Sequence, residues 1–267
     1  MALFLNKRDF LKSPDKNPLS IHREVTWFNF SNMLVGVGIT VSCLMWADRA
    51  LALTFSESSP GVFAVEAEQL QGTAGLSGDT WNIIPAGTGT YTNALGSGYI
   101  QALPDNGTVT SGPNDGPFAD YNFQVETTGT YQAYIRWAGF DQASDSLYVL
   151  MPNLSSDFYQ VNKAPSTDFA SGTVWSGTGR KNNTTLNSGT AEAMLFNITS
   201  PSTYTFRIAM REDGAAVDSI VFQLSSLAAP TGDGPTRSAA AVPFEFSPTL
   251  GILLCGSLWG LNRLRKN

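Results

Sequence analysis

Between residues 61 and 224, apolar side chains recur at every second position, and no stretch carries them at helical spacing. Phe63, Val65 and Ala67 alternate with Ala64, Glu66 and Glu68, and Tyr121, Phe123 and Val125 alternate with Asn122 and Gln124. Tyr131, Ala133, Ile135 and Trp137 alternate with Gln132, Tyr134 and Arg136. The same period runs through Leu147, Val149 and Met151, through Tyr204 to Met210, and through Ile220, Phe222 and Leu224. Successive side chains of a strand point to opposite faces, so a period of two means strands with one buried face. Gly, Asn, Asp, Ser and Pro separate the runs. Many short strands of this kind predict an all-β fold, a β-sandwich of jelly-roll form.

The two ends of the chain have a different character. Residues 1–32 carry Lys7, Arg8, Lys12, Lys16 and Arg23, and an apolar stretch from Met33 to Trp46 leads to Ala50-Leu51-Ala52. Positive region, short apolar region and small-x-small site predict a secretory signal over 1–52, cleaved after Ala52, with an uncleaved membrane anchor as the alternative. Cys43 does not close the apolar run, as a lipidated cysteine should. At the other end, Pro243-Phe244-Glu245 precedes an apolar run that stops at Arg263, Arg265 and Lys266. Thr249 to Leu261 is 13 residues, or 18 counted from Phe244, a marginal span against the roughly 20 that cross a hydrocarbon core as a helix; an amphipathic tail packed on the domain is the alternative. The flanking cations favour the cytoplasmic side. A short Pro/Glu motif, an apolar helix and a basic end resemble the PEP-CTERM class of bacterial sorting signals, in the Pro-Phe-Glu variant of cyanobacteria. The resemblance implies a short transmembrane sorting helix over 243–267, an exosortase-type processing enzyme as partner, transient membrane contact, and a mature protein in the cell envelope, on the surface or in the matrix.

Cys43, Cys255 and His22 all fall in these end segments. Residues 53–241 therefore exclude disulfides, thiolate or imidazole chemistry, and zinc sites built on those ligands. The same stretch holds 17 Asp or Glu and 7 Lys or Arg, a net of −10. A nucleic-acid partner calls for the opposite sign. Residues 61–224 are long enough for one core. Residues 225–242, rich in Ala, Gly, Pro and Ser, read as a flexible linker.

Three places carry chemistry. On a strand, Glu66 and Glu68 share a face, and two adjacent carboxylates call for a hard cation such as Ca²⁺ unless both face water. Asp218 stands in line with the core positions Ile220 and Phe222, so it needs a partner, either Arg211 or a metal. Asp213-Gly214 just before it reads as a hairpin turn. Finally, Trp81, Tyr91, Tyr99, Tyr159 and Trp175 fall in stretches that read as loops, where rings either stack on sugars or cap the core. Trp175 stands out in a run of Gly, Ser and Thr, with Asn182 and Asn183 close behind as hydrogen-bonding candidates.

These parts occur in a characteristic order: Glu66-Ala67-Glu68, then Gly129 to Arg136, then Asp145 to Val149, then Arg211-Glu212-Asp213-Gly214 to Asp218-Ser219-Ile220. The order resembles the galactose-binding-like jelly rolls that include carbohydrate-binding module families 6 and 35. The resemblance implies a structural Ca²⁺ held by Glu66, Glu68 and Asp218. It also implies a sugar cleft with Trp175 as platform, and Tyr91, Tyr99, Asn182 and Asn183 as further candidates. The expected function is non-catalytic carbohydrate binding, with a polysaccharide or glycan as partner. A structural surface protein of the same fold is the alternative. A polysaccharide-active enzyme needs a pair of carboxylates across the scissile bond, and no motif pairs the spare ones.

Overall fold

The computed structural model describes residues 53–76, 78–185 and 189–241. The expected signal segment, 1–52, and the expected sorting tail, 243–267, lie outside the described residues. The strands, in chain order, are β1 (Thr54–Ser56), β2 (Val62–Glu66), β3 (Gly72–Ala74), β4 (Thr80–Pro85), β5 (Gly98–Leu103), β6 (Phe118–Val125), β7 (Gly129–Ala138) and β8 (Ser146–Leu150). There follow β9 (Phe158–Asn162), β10 (Thr178–Lys181), β11 (Glu192–Ala193), β12 (Leu195–Ile198), β13 (Ser202–Met210), β14 (Ala216–Leu224) and β15 (Ala240–Ala241). Each alternating run in the sequence coincides with a strand over most of its length, Ala67, Glu68 and Met151 lying just beyond the ends of β2 and β8. No described helix is long and apolar enough to cross a membrane.

The strands form two sheets. The larger runs β11-β10-β9-β8-β13-β6-β1-β15, with β3 also on β6; the smaller runs β12-β7-β14-β5-β4, with β2 also on β14. In the smaller sheet β14 is central: β7 pairs along one edge, and β2 and β5 share the other. The inward faces meet in an aromatic core. Phe63 stacks on Phe123 at 4.7 Å and Tyr131 on Phe222 at 4.7 Å, with Phe222 also facing Phe123 at 5.7 Å. Fully buried rings of this size, in stacked contact, are a large share of what holds two sheets together.

Three local expectations change. Asp213-Gly214 does not close a hairpin: β13 pairs with β6 and β8 in the larger sheet, whereas β14 belongs to the smaller one. The turn carries the chain across the sandwich. Glu68 does not lie on a strand, because β2 ends at Glu66 and Ala67–Gln69 form a 3-10 turn. Residues 225–241 are not a free linker. Gln223 donates to Ala228 O, Trp175 to Gly232 O, and Ser238 exchanges two bonds with the Ala64 backbone. Ala240 and Ala241 then pair with β1. Two serine–backbone bonds and one strand bridge give this small-residue segment the polar contacts that composition does not reveal. The folded unit thus takes in Thr54–Ser56 and this C-terminal strap, beyond the 61–224 expected.

Candidate carbohydrate groove and carboxylate site

The inward face of the smaller sheet is core; its outward face is covered by loops and the strap. Outward residues of β7 are Gln132, Tyr134, Arg136 and Ala138. Residues 171–177 lie along this strand, with Ile135 and Ser176 exchanging both backbone bonds at 3.0 and 2.8 Å. Gln132 Nε2 donates to Gly177 O and Trp137 Nε1 to Ser176 Oγ. These bonds set the indole of Trp175 beside Tyr134, Ala64 and Val221.

Next to that cluster runs a groove of about 680 Å³. Rings of Tyr134 and Trp175 line it, together with the amides of Gln132 and Asn162, several Ser and Thr hydroxyls, Lys163, and Ala229 from the strap. Arg180 Nη1 donates to Asn162 Oδ1. Lys163 Nζ donates to Trp137 O, and burial lowers the Lys163 pKa, with Arg136 adding to the effect. None of the described lining residues is acidic.

Of the five sugar-site candidates, only Trp175 borders this groove, and its exposure is 7%. The platform expected to face solvent is covered: its Nε1 donates to Gly232 O at 3.0 Å. Tyr91 and Tyr99 are buried, in a cluster with Phe169, Ala138 and Ala216. Tyr91 lies 5.6 Å from both Tyr99 and Phe169, and its hydroxyl donates to Gly214 O at 2.6 Å. Burial raises both phenol pKa values. The reason is a second loop layer: Thr92 and Phe169 are hydrogen-bonded neighbours, and Asn93 donates to Asp168. The two loops close over rings that sequence alone leaves in the open. Trp81 and Tyr159 are buried too, on β4 and β9. Asn182 and Asn183 do not line the groove. Asn182 shapes a turn, at φ 50°, accepting from Phe158 N and donating to Asp157; Asn183 Oδ1 accepts from Thr185 N.

The expected metal ligands are partly gathered, around the loop Leu95-Gly96-Ser97. Glu68 Oε1 accepts from Ser97 N at 3.1 Å and Ser97 Oγ at 2.8 Å, while Asp218 Oδ1 accepts from Leu95 N at 2.7 Å. Gly96 lies against Glu66, where a Cβ would meet its carboxyl carbon at 3.1 Å, and at φ +60° glycine is the natural residue. Glu66 Oε2 and Glu68 Oε2 are buried with no hydrogen-bond partner. Burial pushes the Glu68 pKa up, and the Glu66 charge adds to it against the Ser97 bonds. Two orphaned carboxylate oxygens suit a hard cation. Asp218 does not complete the set. Its Oδ2 is taken by Arg136 and its Oδ1 by Leu95, and among the described residues no three acidic, His or Cys side chains form a metal-holding group. The partner of Asp218 is Arg136, not Arg211, which pairs with Glu212. A β-bulge between Val217 and Ser219 breaks the parity that placed Asp218 in line with Ile220, and turns it toward β7. Burial pushes its carboxyl up to about 6, against the pull of Arg136.

Arg237 is the site residue that sequence reasoning missed: it lies in the apparent linker, yet its Nε donates to Glu66 Oε1 at 2.5 Å. A lone cation among small residues was the available signal. Tyr134 and Gln132 were legible as outward positions of β7, but the loop that makes them a groove was not.

The chain matches no protein-family model and no curated protein. Among solved structures it is similar to a GH26-CBM35 β-(1,4)-mannanase of Podospora anserina, at 17% identity and a TM-score of 0.41, over 64% of this chain and 29% of that one. It is also similar to the C-terminal CBM6 of a marine laminarinase from Zobellia galactanivorans (14% identity, TM-score 0.35, 61% of this chain and 98% of that one). A third is a family 35 carbohydrate binding module from Clostridium thermocellum (14%, 0.37, 63% and 100%). The chain thus spans under a third of the mannanase and nearly all of the two modules. The two-sheet architecture stands on the strand pairing described above.

Proposed function

We propose that this chain is an exported, non-catalytic carbohydrate-binding protein, with a polysaccharide or glycan as its partner. The observation that carries this reading is the groove beside Tyr134 and Trp175. It is polar, lined with amides and hydroxyls that suit sugar hydroxyls, bordered by two largely buried rings, and free of acidic residues among those described. Glycoside hydrolysis needs a carboxylate pair across the scissile bond, so the same lining favours binding over turnover. A glycan array followed by calorimetric titration of the hits tests the proposal, and incubation with each bound glycan tests for turnover. Absence of binding to every glycan would leave the second reading, a structural surface protein. That reading is favoured by the burial of Trp175, Tyr91 and Tyr99.

Two further parts belong to the proposal. Ca²⁺ is held by Glu66 and Glu68, supported by their two unpartnered oxygens, and it stabilises the loop around Gly96. Residues 1–52 direct export, and 243–267 direct sorting through an exosortase-type enzyme. Terminal mass analysis of the secreted protein should find a start near Leu53 and no Arg263 to Lys266.

A further inference from the structure

The strap from Ala228 to Ser238 bounds the groove and also covers its best ring. Ala229 lines the groove, Gly232 O accepts the Trp175 indole N–H, and Gly234 packs so closely that a Cβ there would meet Trp175 Cζ2 at 2.8 Å. The contact on Trp175 is therefore mostly glycine backbone, with little side chain to extract. The strap itself is nearly all exposed or half-exposed, and Ser238 is its one buried described residue. Polar pins hold it: Trp175 to Gly232, Arg237 to Glu66, and Ser238 to Ala64. Arg237 also folds the strap on itself through Asp233 O and Pro235 O. A segment whose own residues are mostly exposed, held by three polar pins of which only that of Ser238 is buried, opens locally at lower cost than the core.

We infer that the strap is a lid over the sugar groove. In the closed state shown here Trp175 and Tyr134 border the groove but are each only 7% exposed, and the groove offers mainly its polar wall. When the strap lifts, the Trp175 ring joins the same groove, because Trp175 and Ala229 already share its lining. Glycan binding then selects the open strap, and affinity is reduced by the fraction of molecules that are closed. This rests on the groove being a sugar site, but the lid itself can be tested without a sugar.

Two variants release the strap by different routes. Arg237→Ala with Ser238→Ala removes the Arg237 pin and one of the two Ser238–Ala64 bonds; Gly234→Val drives a side chain into the Trp175 ring at φ +81°, where valine is also strained. Hydroxyl-radical footprinting with mass spectrometry reads the exposure of Trp175, and hydrogen exchange reads residues 229–239, in proteins whose circular dichroism shows an intact sandwich. Oxidation of Trp175 should rise at least threefold in either variant. Cellohexaose, mannohexaose, laminarihexaose and any glycan-array hit are then titrated. The expected result is at least threefold tighter binding by a released variant, together with faster exchange of the wild-type strap when sugar is bound. Increased oxidation without binding by any protein supports the lid and removes the sugar reading. Unchanged oxidation in both variants overturns the lid whatever the sugars do, and so does increased oxidation with equal or weaker affinity. If the double variant does not fold, Gly234→Val carries the same test.

Discussion

Arg136 and Asp218, 82 residues apart, form an ion pair behind the outward face of the smaller sheet, with side chains 4% and 0% exposed. Asp218 also caps Leu95 N, so one carboxylate ties β7, β14 and the 94–97 loop together. Removing one partner of such a pair leaves a buried, uncompensated charge and costs about 3–5 kcal/mol. Asp218→Ala should lose that much in urea unfolding, equally with calcium and with chelator. A loss seen only with calcium would make Asp218 a metal ligand instead.

Calcium itself should act through the two glutamates. At about 100 times its Kd it should add about 2.7 kcal/mol, and chelator should remove that gain. Glu68→Gln keeps the shape and the Ser97 contact but gives up the charge, and should abolish the response. An unchanged melting temperature on chelation, with no ion found by elemental analysis, sets the proposal aside.

Trp175 serves both core and groove, so its removal has two readouts. Trp175→Ala should cost about 3–5 kcal/mol of stability, as large-to-small changes at buried rings do. It should also weaken glycan binding at least tenfold, which is about 1.4 kcal/mol. Trp175→Phe should recover most of both. Full affinity in the alanine variant would place the sugar elsewhere in the groove, on Tyr134.

Tyr91 separates the two aromatic clusters. Tyr91→Phe deletes its bond to Gly214 O and should cost about 1 kcal/mol, with glycan affinity unchanged. A loss of affinity at constant stability would return Tyr91 to the sugar site.

Asp145 gives a pH signature. Burial, with the Glu212 carboxylate beside it, raises its pKa from 3.8 to about 6, and its Oδ1 is buried without a partner. The unfolded chain releases this proton first, so the folded state loses stability as pH rises from about 4 to 6. Asp145→Asn removes the penalty. It should match the wild type at pH 4 and exceed it at pH 7 by about 1–2 kcal/mol, allowing for solvent screening. Thermal melts across that range measure the difference; parallel curves for the two proteins would refute it.

The fold was legible because a strand's signature is local. Alternation in Tyr131 to Trp137 or Tyr204 to Met210 states which side chains face a core without any knowledge of the partner strand. Short pieces such as Thr54–Ser56 or Glu192–Ala193 hold too few residues to show a period, and exist only because a neighbour supplies hydrogen bonds. The site divides the same way. Glu66, Glu68 and Trp175 were visible as residue types in the right chemical company. Which neighbour reaches them was not visible: Arg136 rather than Arg211 for Asp218, Arg237 for Glu66, Gly232 for Trp175.

By itself, then, the sequence determined a two-faced strand protein with neither thiol nor imidazole between residues 53 and 241, and a net charge of −10 over that stretch. Tertiary structure alone decided sheet order, the burial of Tyr91 and Tyr99, and the folding of an apparent linker across Trp175. The reason is range. Alternation and composition are properties of neighbours in the chain, whereas burial and ion pairing are set by segments tens to more than a hundred residues away, as Arg237 is from Glu66. Their contact energies appear only once both sheets have formed.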